Sequence, residues 1–229
     1  TKTFTVNYGV SDGTATTPNT VTFTVTGTND APTVTALTAK ATEGGNAISV
    51  KALSGAADVD TGTVLSVVVP TSLPTGVSYN ETTKSFVLDA KHASFDSLPA
   101  GAQQTFTVNY GVTDGTATTS NTVTFTVTGT NDKPTVTALT AAATEGGSAV
   151  TVNALSGAAD VDAGTVLSVV APATLPAGVT YNAETKSFVV DPAHASFNAL
   201  AEGSTKTFTV NYGVSDGTAT TPNTVTFTV

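Results

Sequence analysis

The stretch Thr105-Phe106-Thr107-Val108-Asn109-Tyr110-Gly111-Val112 decides the fold. Polar and apolar side chains alternate along it, so an extended strand carries Phe106, Val108, Tyr110 and Val112 on one face. Thr122-Val123-Thr124-Phe125-Thr126-Val127 alternates in the same way, and Asp114-Gly115 with a polar loop lies between the two. The pair reads as a β-hairpin. The same octet begins at Thr3, Thr105 and Thr207, which sets a period of 102 residues.

Residues 26–127 match residues 128–229 at 76 of 102 positions. A period near 100 is too long for a solenoid unit and fits one complete domain per repeat. Upstream of each long hairpin lie shorter strand candidates rich in Val, Ile and Thr, at 33–38, 47–53, 63–69, 77–80 and 84–88. Only His92 to Leu98 has room for a helical turn. No helical pattern of 10–15 residues exists, which excludes a parallel α/β sheet. The fold class expected is all-β: tandem, Greek-key, seven-stranded β-sandwiches of immunoglobulin or cadherin-like kind, joined end to end. The expected units are an orphan C-terminal hairpin of a preceding repeat at 1–28, one sandwich at 29–130 and a second at 131–229. A lone hairpin is marginal in water. Residues 1–25 are therefore expected to lean on the next domain, to pair with a neighbouring domain or chain, or to be loosely ordered.

The 229 residues carry eight Lys, no Arg and 17 Asp plus Glu, for a formal net charge of −9. That sign argues against nucleic acid and anionic membrane surfaces. No apolar run reaches the roughly 20 residues that span a bilayer, so no membrane insertion is expected. Without Cys there is no disulfide staple. The chain has neither a starting Met nor a leader and reads as a piece of something longer.

The repeats also filter the acids, because surface charges drift between copies whereas ligands stay. Six acidic positions recur: Asp30/Asp132, Glu43/Glu145, Asp58/Asp160, Asp60/Asp162, Asp89/Asp191 and Asp114/Asp216. Others drift, such as Asp96 to Asn198, Glu81 to Ala183 and Ala100 to Glu202, and of the lysines only Lys84/Lys186 holds its place. Carboxylates gathered without cations repel one another. A hard divalent cation relieves this, and Ca2+ takes six to eight oxygens. Strand direction gathers Asp30, Asp58, Asp60 and Asp114 at the top of a domain, with Asn29 adding an oxygen. Glu43 and Asp89 lie at the bottom. The joint between repeats would then collect Asn131, Asp132, Asp160, Asp162 and Asp216 from one side and Glu43 and Asp89 from the other. Glu145 and Asp191 are the second copies of the lower pair.

These residues carry a resemblance. Asp58-Val59-Asp60 resembles the Asp-x-Asp motif of cadherin-like domains, and Thr42-Glu43-Gly44 their early glutamate. Val112-Thr113-Asp114-Gly115 and Asn131-Asp132-Lys133-Pro134 resemble their late loop and their linker. More closely, Phe95-x-x-Leu98-x-x-Gly101, the Thr-Phe-Thr-Val-Asn-Tyr-Gly-Val octet and Val-Thr-Gly-Thr-Asn-Asp-x-Pro are similar to the VCBS-type repeats of giant bacterial RTX adhesins. The resemblance covers the whole chain. It implies calcium-binding extender repeats held outside a bacterial cell and used in attachment and biofilm formation, with the adjacent repeats as partners. The chain departs from the cadherin pattern at Lys91 and Ala193, where a second lower acid would stand, and at Gly27 and Gly129, where the linker's first acid would stand.

Competing chemistries fit less well. Asp60-Thr61-Gly62 spells the aspartic-protease triplet, but its second copy reads Asp162-Ala163-Gly164. An EF-hand needs Glu where Val69 stands. His92 and His194 have no second His or Cys beside them and read as cap or packing residues. No Gly-x-Ser-x-Gly elbow exists. The chain is not expected to be an enzyme. The alternative function is direct binding of a glycan or a partner protein by the repeats, for which Tyr79 and Tyr181 are the best aromatic candidates.

Overall fold

The computed structural model describes residues 1–229. Sixteen strands and no helix form, so no helix is long and apolar enough to cross a membrane. The first two strands, β1 (Lys2–Ser11) and β2 (Thr16–Val25), make a two-stranded antiparallel sheet. Seven strands follow: β3 (Leu37–Thr42), β4 (Ile48–Lys51), β5 (Ser66–Val68), β6 (Val77–Asn80), β7 (Ser85–Leu88), β8 (Gln103–Thr113) and β9 (Thr118–Thr128). They form a four-stranded sheet in the order β3-β9-β8-β5 and a three-stranded sheet in the order β4-β7-β6. The pattern then recurs with β10 (Leu139–Ala142), β11 (Val150–Asn153), β12 (Ser168–Val170), β13 (Val179–Asn182), β14 (Ser187–Val190), β15 (Thr207–Ser215) and β16 (Thr220–Thr228). Its sheets are β10-β16-β15-β12 and β11-β14-β13. This is a pair of all-β, seven-stranded sandwiches.

The long hairpin organises each sandwich. β8 and β9 pair over eleven residues, from Gln103↔Thr128 to Thr113↔Thr118. Their inward residues Val108, Tyr110, Val112, Val123, Phe125 and Val127 are all buried. Phe86 and Leu88 of β7 meet them from the other sheet in the same cluster. Tyr79, Phe86 and Tyr110 stack in tilted succession, with ring centroids 5.1 and 5.0 Å apart. Tyr110 Oη donates to the Ala52 carbonyl at 2.7 Å and accepts from Asn121 Nδ2 at 2.7 Å. A buried phenol is thereby satisfied on both sides. Outward positions are threonines that pair across the strands, such as Thr107 with Thr124 at 3.0 Å.

Two local expectations are corrected. The strand expected at 33–38 lies instead at Leu37–Thr42. Thr33 makes only an isolated bridge to Ala57, and the ladder starts where the chain meets β9 in parallel. The stretch from His92 to Leu98 is a chain of tight turns rather than a helix. Its amides bond three residues back: His92 to Asp89, Phe95 to His92 and Leu98 to Phe95.

The hairpin of residues 2–25 pairs only with itself, over ten register positions from Lys2↔Val25 to Ser11↔Thr16. Its apolar face is open: Phe4, Val6, Tyr8, Val10, Val21, Phe23 and Val25 are all exposed. Tyr8 Oη still accepts from Asn19 Nδ2 at 2.7 Å, as Tyr110 does from Asn121, but it has no carbonyl to donate to.

Candidate metal centre at the joint between repeats

The joint is built from three loops of the second repeat and two of the first. The linker Asn131-Asp132 leaves β9 and reaches the loop Asp160-Val161-Asp162. The Asp132 amide donates to Asp162 Oδ2 at 2.9 Å, and the Asp162 amide donates to Asp160 Oδ1 at 2.9 Å. Asn131 Nδ2 donates to Asp216 Oδ2 at 2.9 Å. Asp216 Oδ1 also takes the amides of Thr218 and Ala219, which is the local turn chemistry of an Asp-Gly pair. The late loop, the linker and the Asp-x-Asp loop are thus tied into one cluster by their own side chains.

From the first repeat comes Glu43, placed by the end of β3. Its amide donates to the Thr128 carbonyl at 2.9 Å. Its Oε2 accepts the Thr130 amide at 2.9 Å. The turn after Phe95 closes the other side, where the Ala163 amide donates to the Ser97 carbonyl at 3.1 Å.

Burial and charge conflict here. Glu43 and Asp162 are 7% and 6% exposed, yet neither has a cationic partner. Glu43 Oε1, Asp160 Oδ2 and Asp162 Oδ1 are buried and meet no hydrogen-bond donor. Burial pushes the Glu43 carboxyl up, and repulsion from Asp132, Asp162 and Asp96 adds to this; the Thr130 amide partly offsets it. Burial likewise raises Asp132, with Asp162, Asp96 and Asp160 adding to it. Asp216 goes the other way, held low by Asn131 and by its turn amides. Unpartnered buried carboxylate oxygens are costly. This donor set of carboxylate, carboxamide and carbonyl oxygens suits a hard cation such as Ca2+. No three acidic or histidine side chains are already drawn into a closed cage.

The expected ligands are not all placed alike. Asn29, Asp30, Asp58, Asp60 and Asp114 repeat the upper cluster at the head of the first repeat, with Asp30 N to Asp60 Oδ2 at 2.9 Å and Asn29 Nδ2 to Asp114 Oδ2 at 3.0 Å. Asp58 Oδ2 there is again buried and unpartnered. Glu145, the copy of Glu43, lies exposed at the far end of the second repeat. Asp89 and Asp191 serve their own turns: Asp89 Oδ1 takes the Lys91 amide and Asp191 Oδ1 the Ala193 amide, each at 3.0 Å. Neither carboxylate is among the charges acting on Glu43 or Asp132. Asp96, which drifts to Asn198 and so fails the recurrence filter, stands in the joint beside Ser97. Its signal was the anchor before it: Phe95 is buried at 1% exposure and fixes the turn that presents Asp96.

The candidates for other roles are absorbed by structure. Tyr79 and Tyr181 are half-buried against Phe86 and Phe188 and offer no stacking platform. His92 Nδ1 pairs with Ser94 Oγ at 2.9 Å and its ring meets Phe95 edge-on.

This architecture is that of cadherin-like repeats. The chain is similar in structure to protocadherin gamma C5 EC1-3, at 14% identity, with 100% of this chain and 78% of that one covered and a TM-score of 0.53. It is similar to EC1-2 of human protocadherin-24 at 17% identity, covering 88% of this chain and 98% of that one, with a TM-score of 0.52. An endo-fucoidan hydrolase of glycoside hydrolase family 107 also aligns, but this chain spans only 33% of its length and the TM-score of 0.36 carries no argument. No family profile matches the chain, and no curated protein sequence does. The likeness is one of fold.

Proposed function

We propose that the chain is a run of calcium-stiffened extender repeats from a large secreted bacterial adhesin, projecting a distal adhesive region from the cell surface for attachment and biofilm formation. The observation that carries this reading is the buried pair Glu43 and Asp162, contributed by different repeats to one joint, each with one carboxylate oxygen that meets no donor. The cadherin-like fold and the adhesin-like linker and hairpin motifs support the extracellular setting. The reading gives the chain no catalytic role.

Glu43, Asp96, Asn131, Asp132, Asp160, Asp162 and Asp216 would hold the ion. When bound, Ca2+ supplies positive charge to oxygens that otherwise repel. The residues themselves do the positioning. Asp162 fixes the linker through the Asp132 amide, and Glu43 fixes it through the Thr130 amide. Without a cation the same acids push the repeats apart and the joint hinges. Each ion adds RT ln(1 + [L]/Kd), about 1.4 kcal/mol at tenfold over Kd. Extracellular modules commonly bind at roughly 0.1–1 mM, so external calcium fills such joints and cytosolic calcium leaves them empty.

Small-angle scattering and thermal melting, each in millimolar Ca2+ and in chelator, test the reading. Calcium should lengthen and narrow the distance distribution and raise the melting temperature, and Asp160→Ala with Asp162→Ala should remove most of both effects. A chain equally long and equally stable in chelator would sink it. The alternative, direct glycan or partner binding by the repeats, has no structural observation in its favour, since the tyrosines proposed for it pack inward.

A further inference from the structure

The two repeats differ in a patterned way. Three stretches build the head of a repeat: the linker 26–35, the Asp-x-Asp loop 52–68 and the late loop 113–119. Set against 128–137, 154–170 and 215–221, these 34 positions differ at three, Ala31/Lys133, Thr61/Ala163 and Thr113/Ser215, and no acid is among them. The foot behaves otherwise. Residues 90–104 differ from 192–206 at nine of fifteen positions. Both copies keep the His, Phe, Leu and Gly that stand at His92, Phe95, Leu98 and Gly101, and change the residues between them. The foot thus varies where the head does not.

The frame of the foot is the same in both copies. Phe95 and Phe197 are each 1% exposed. The Phe95 amide donates to His92 O at 3.0 Å and the Leu98 amide to Phe95 O at 2.9 Å, and Phe197 and Leu200 make the same two bonds at the same lengths. Position 96 is therefore held in one place whether it carries Asp, as here, or Asn, as at Asn198. In the joint that place adjoins the head. The Ser97 carbonyl takes the amide of Ala163, which directly follows Asp162, at 3.1 Å. Asp96 is exposed and its side chain is free to turn. Its charge bears on Glu43 of the foot and Asp132 of the linker, whereas Lys91, the other charged side chain of this stretch, is not among the charges acting on either. The oxygens that wait for a partner there, Glu43 Oε1 and Asp162 Oδ1, are buried without a donor.

Resting on the calcium-binding reading of the joint, we propose that the foot sets how tightly a joint holds its cation, with residue 96 as the determinant. A foot bearing Asp96 binds more tightly than one bearing Asn. The carboxamide of Asn keeps an oxygen for the ion but brings no charge, and oxygen-ligated calcium sites are tuned by the number of charged ligands. Asp89 is the contrast on the same foot: its Oδ1 holds the Lys91 amide, and its charge bears on neither Glu43 nor Asp132. In a run of such repeats the joints then stiffen one after another as calcium rises, in an order written in their feet.

The chain has no cysteine, so Ser49→Cys with Thr151→Cys, exposed counterparts on β4 and β11, gives one label per repeat. Distances between the labels are followed through a calcium titration of the full chain. The labelled parent is compared with Asp96→Asn, with Asp89→Asn, and with an exchanged foot carrying Asp96→Asn, Ser97→Ala, Pro99→Ala and Ala100→Glu. Asp96→Asn should raise the calcium concentration at which the distribution half-narrows roughly tenfold. The exchanged foot should shift it about as far, and Asp89→Asn should leave it in place. Asn is the residue with which the second repeat forms the same turn, so the fold is kept. A parent that narrows while Asp96→Asn keeps its midpoint overturns the proposal and leaves the calcium reading standing. A parent that never narrows overturns both. An equal shift in Asp89→Asn also overturns the proposal, because any charge on the foot would then suffice. A shift in the exchanged foot but not in Asp96→Asn overturns the part given to residue 96.

Discussion

Glu43 Oε2 accepts the amide of Thr130, at the start of the linker, at 2.9 Å, while its Oε1 is buried and meets no donor. One oxygen thus fixes the linker and the other is left without a donor. Replacing Glu43 with Gln keeps the acceptor for Thr130 and removes the charge. In chelator the variant should melt roughly 2–4 °C above the parent, because like charges no longer meet at the joint. In Ca2+ it should lose most of the calcium-dependent rise. Calorimetry in both conditions checks the crossing of the two effects. A variant with the parent's calcium response would remove Glu43 from the ion's partners.

The pH dependence in chelator follows from the same acids. Glu43 and Asp132 are raised above their ordinary values of 4.5 and 3.8, with burial as the main cause. An acid raised by folding binds its proton more tightly in the folded chain. Its contribution is fully present below the ordinary value and is lost as pH rises through the raised one. Asp216 is lowered, so its contribution is present above 3.8 and is lost as pH falls through the lowered value. Mild acidification from neutrality should therefore raise the melting temperature of the metal-free protein. Strong acidification, below about pH 3.8, should reduce it again as the lowered group titrates. A melting curve that falls steadily from pH 7 downward would show that the joint acids are not the groups in control.

Asp162 and Asp60 make the same bond in different surroundings, which separates a buried contact from an exposed one. Each accepts a linker amide at 2.9 Å, from Asp132 and Asp30 respectively. Asp162 is buried at the joint and Asp60 is only half-buried at the free head of the first repeat. Asp162→Ala leaves the Asp132 amide without its acceptor in a partly buried place, at a cost of about 1–3 kcal/mol even in chelator. Asp60→Ala leaves an amide that water can reach and should cost under about 1 kcal/mol. Chemical denaturation of the two variants in chelator compares them directly.

What the sequence makes legible, and what it does not, follows from these contacts. The period-two alternation around Tyr110 is a local signal, and it suffices to place Val108 and Phe125 in the core and to set the seven-strand sandwich. The grouping of Asp132 with Asp160 and Asp162 is legible because strand direction sends all three to one end. Asp96 is not legible in that way. Its copy is Asn198, so recurrence of charge passes it over, although a carboxamide keeps an oxygen donor. Asp89 passes that filter for another reason: it holds a turn amide in both repeats, a structural role that recurs as faithfully as a ligand does. The strand start at Leu37 depended on where the chain meets β9 in parallel, a non-local pairing that no window of residues contains.

Tyr110 and Tyr8 offer a control on the core that is independent of any metal. Tyr110→Phe strands the Ala52 carbonyl and one Asn121 amide proton in a buried site, and should cost about 1–3 kcal/mol. Tyr8 holds the equivalent place in the open hairpin, exposed and with no carbonyl to serve. Tyr8→Phe should leave the main melting transition where it is. Urea titration followed by tyrosine fluorescence distinguishes the two.

Gly129 holds the linker against the backbone of residues 98–102. A Cβ at this position meets the Leu98 carbonyl oxygen, and the Pro99 oxygen at 2.5 Å, with the Leu98 carbonyl carbon at 2.8 Å. All three are backbone atoms, so no side chain can rotate away. The linker must lift, and lifting it breaks the bonds from Gly101 to Gly129 and from Gly129 to Ala102. Gly129→Ala should cost about 1–3 kcal/mol by overpacking and should widen the distribution of inter-repeat distances in scattering, in Ca2+ as well as in chelator. Gly27→Ala is its matched control, because nothing lies within 4 Å of a Cβ there. That change should stay within about 0.5 kcal/mol of the parent. Equal effects at both positions would mean that Gly129 acts through backbone freedom in the unfolded chain and not through its close approach to residues 98 and 99.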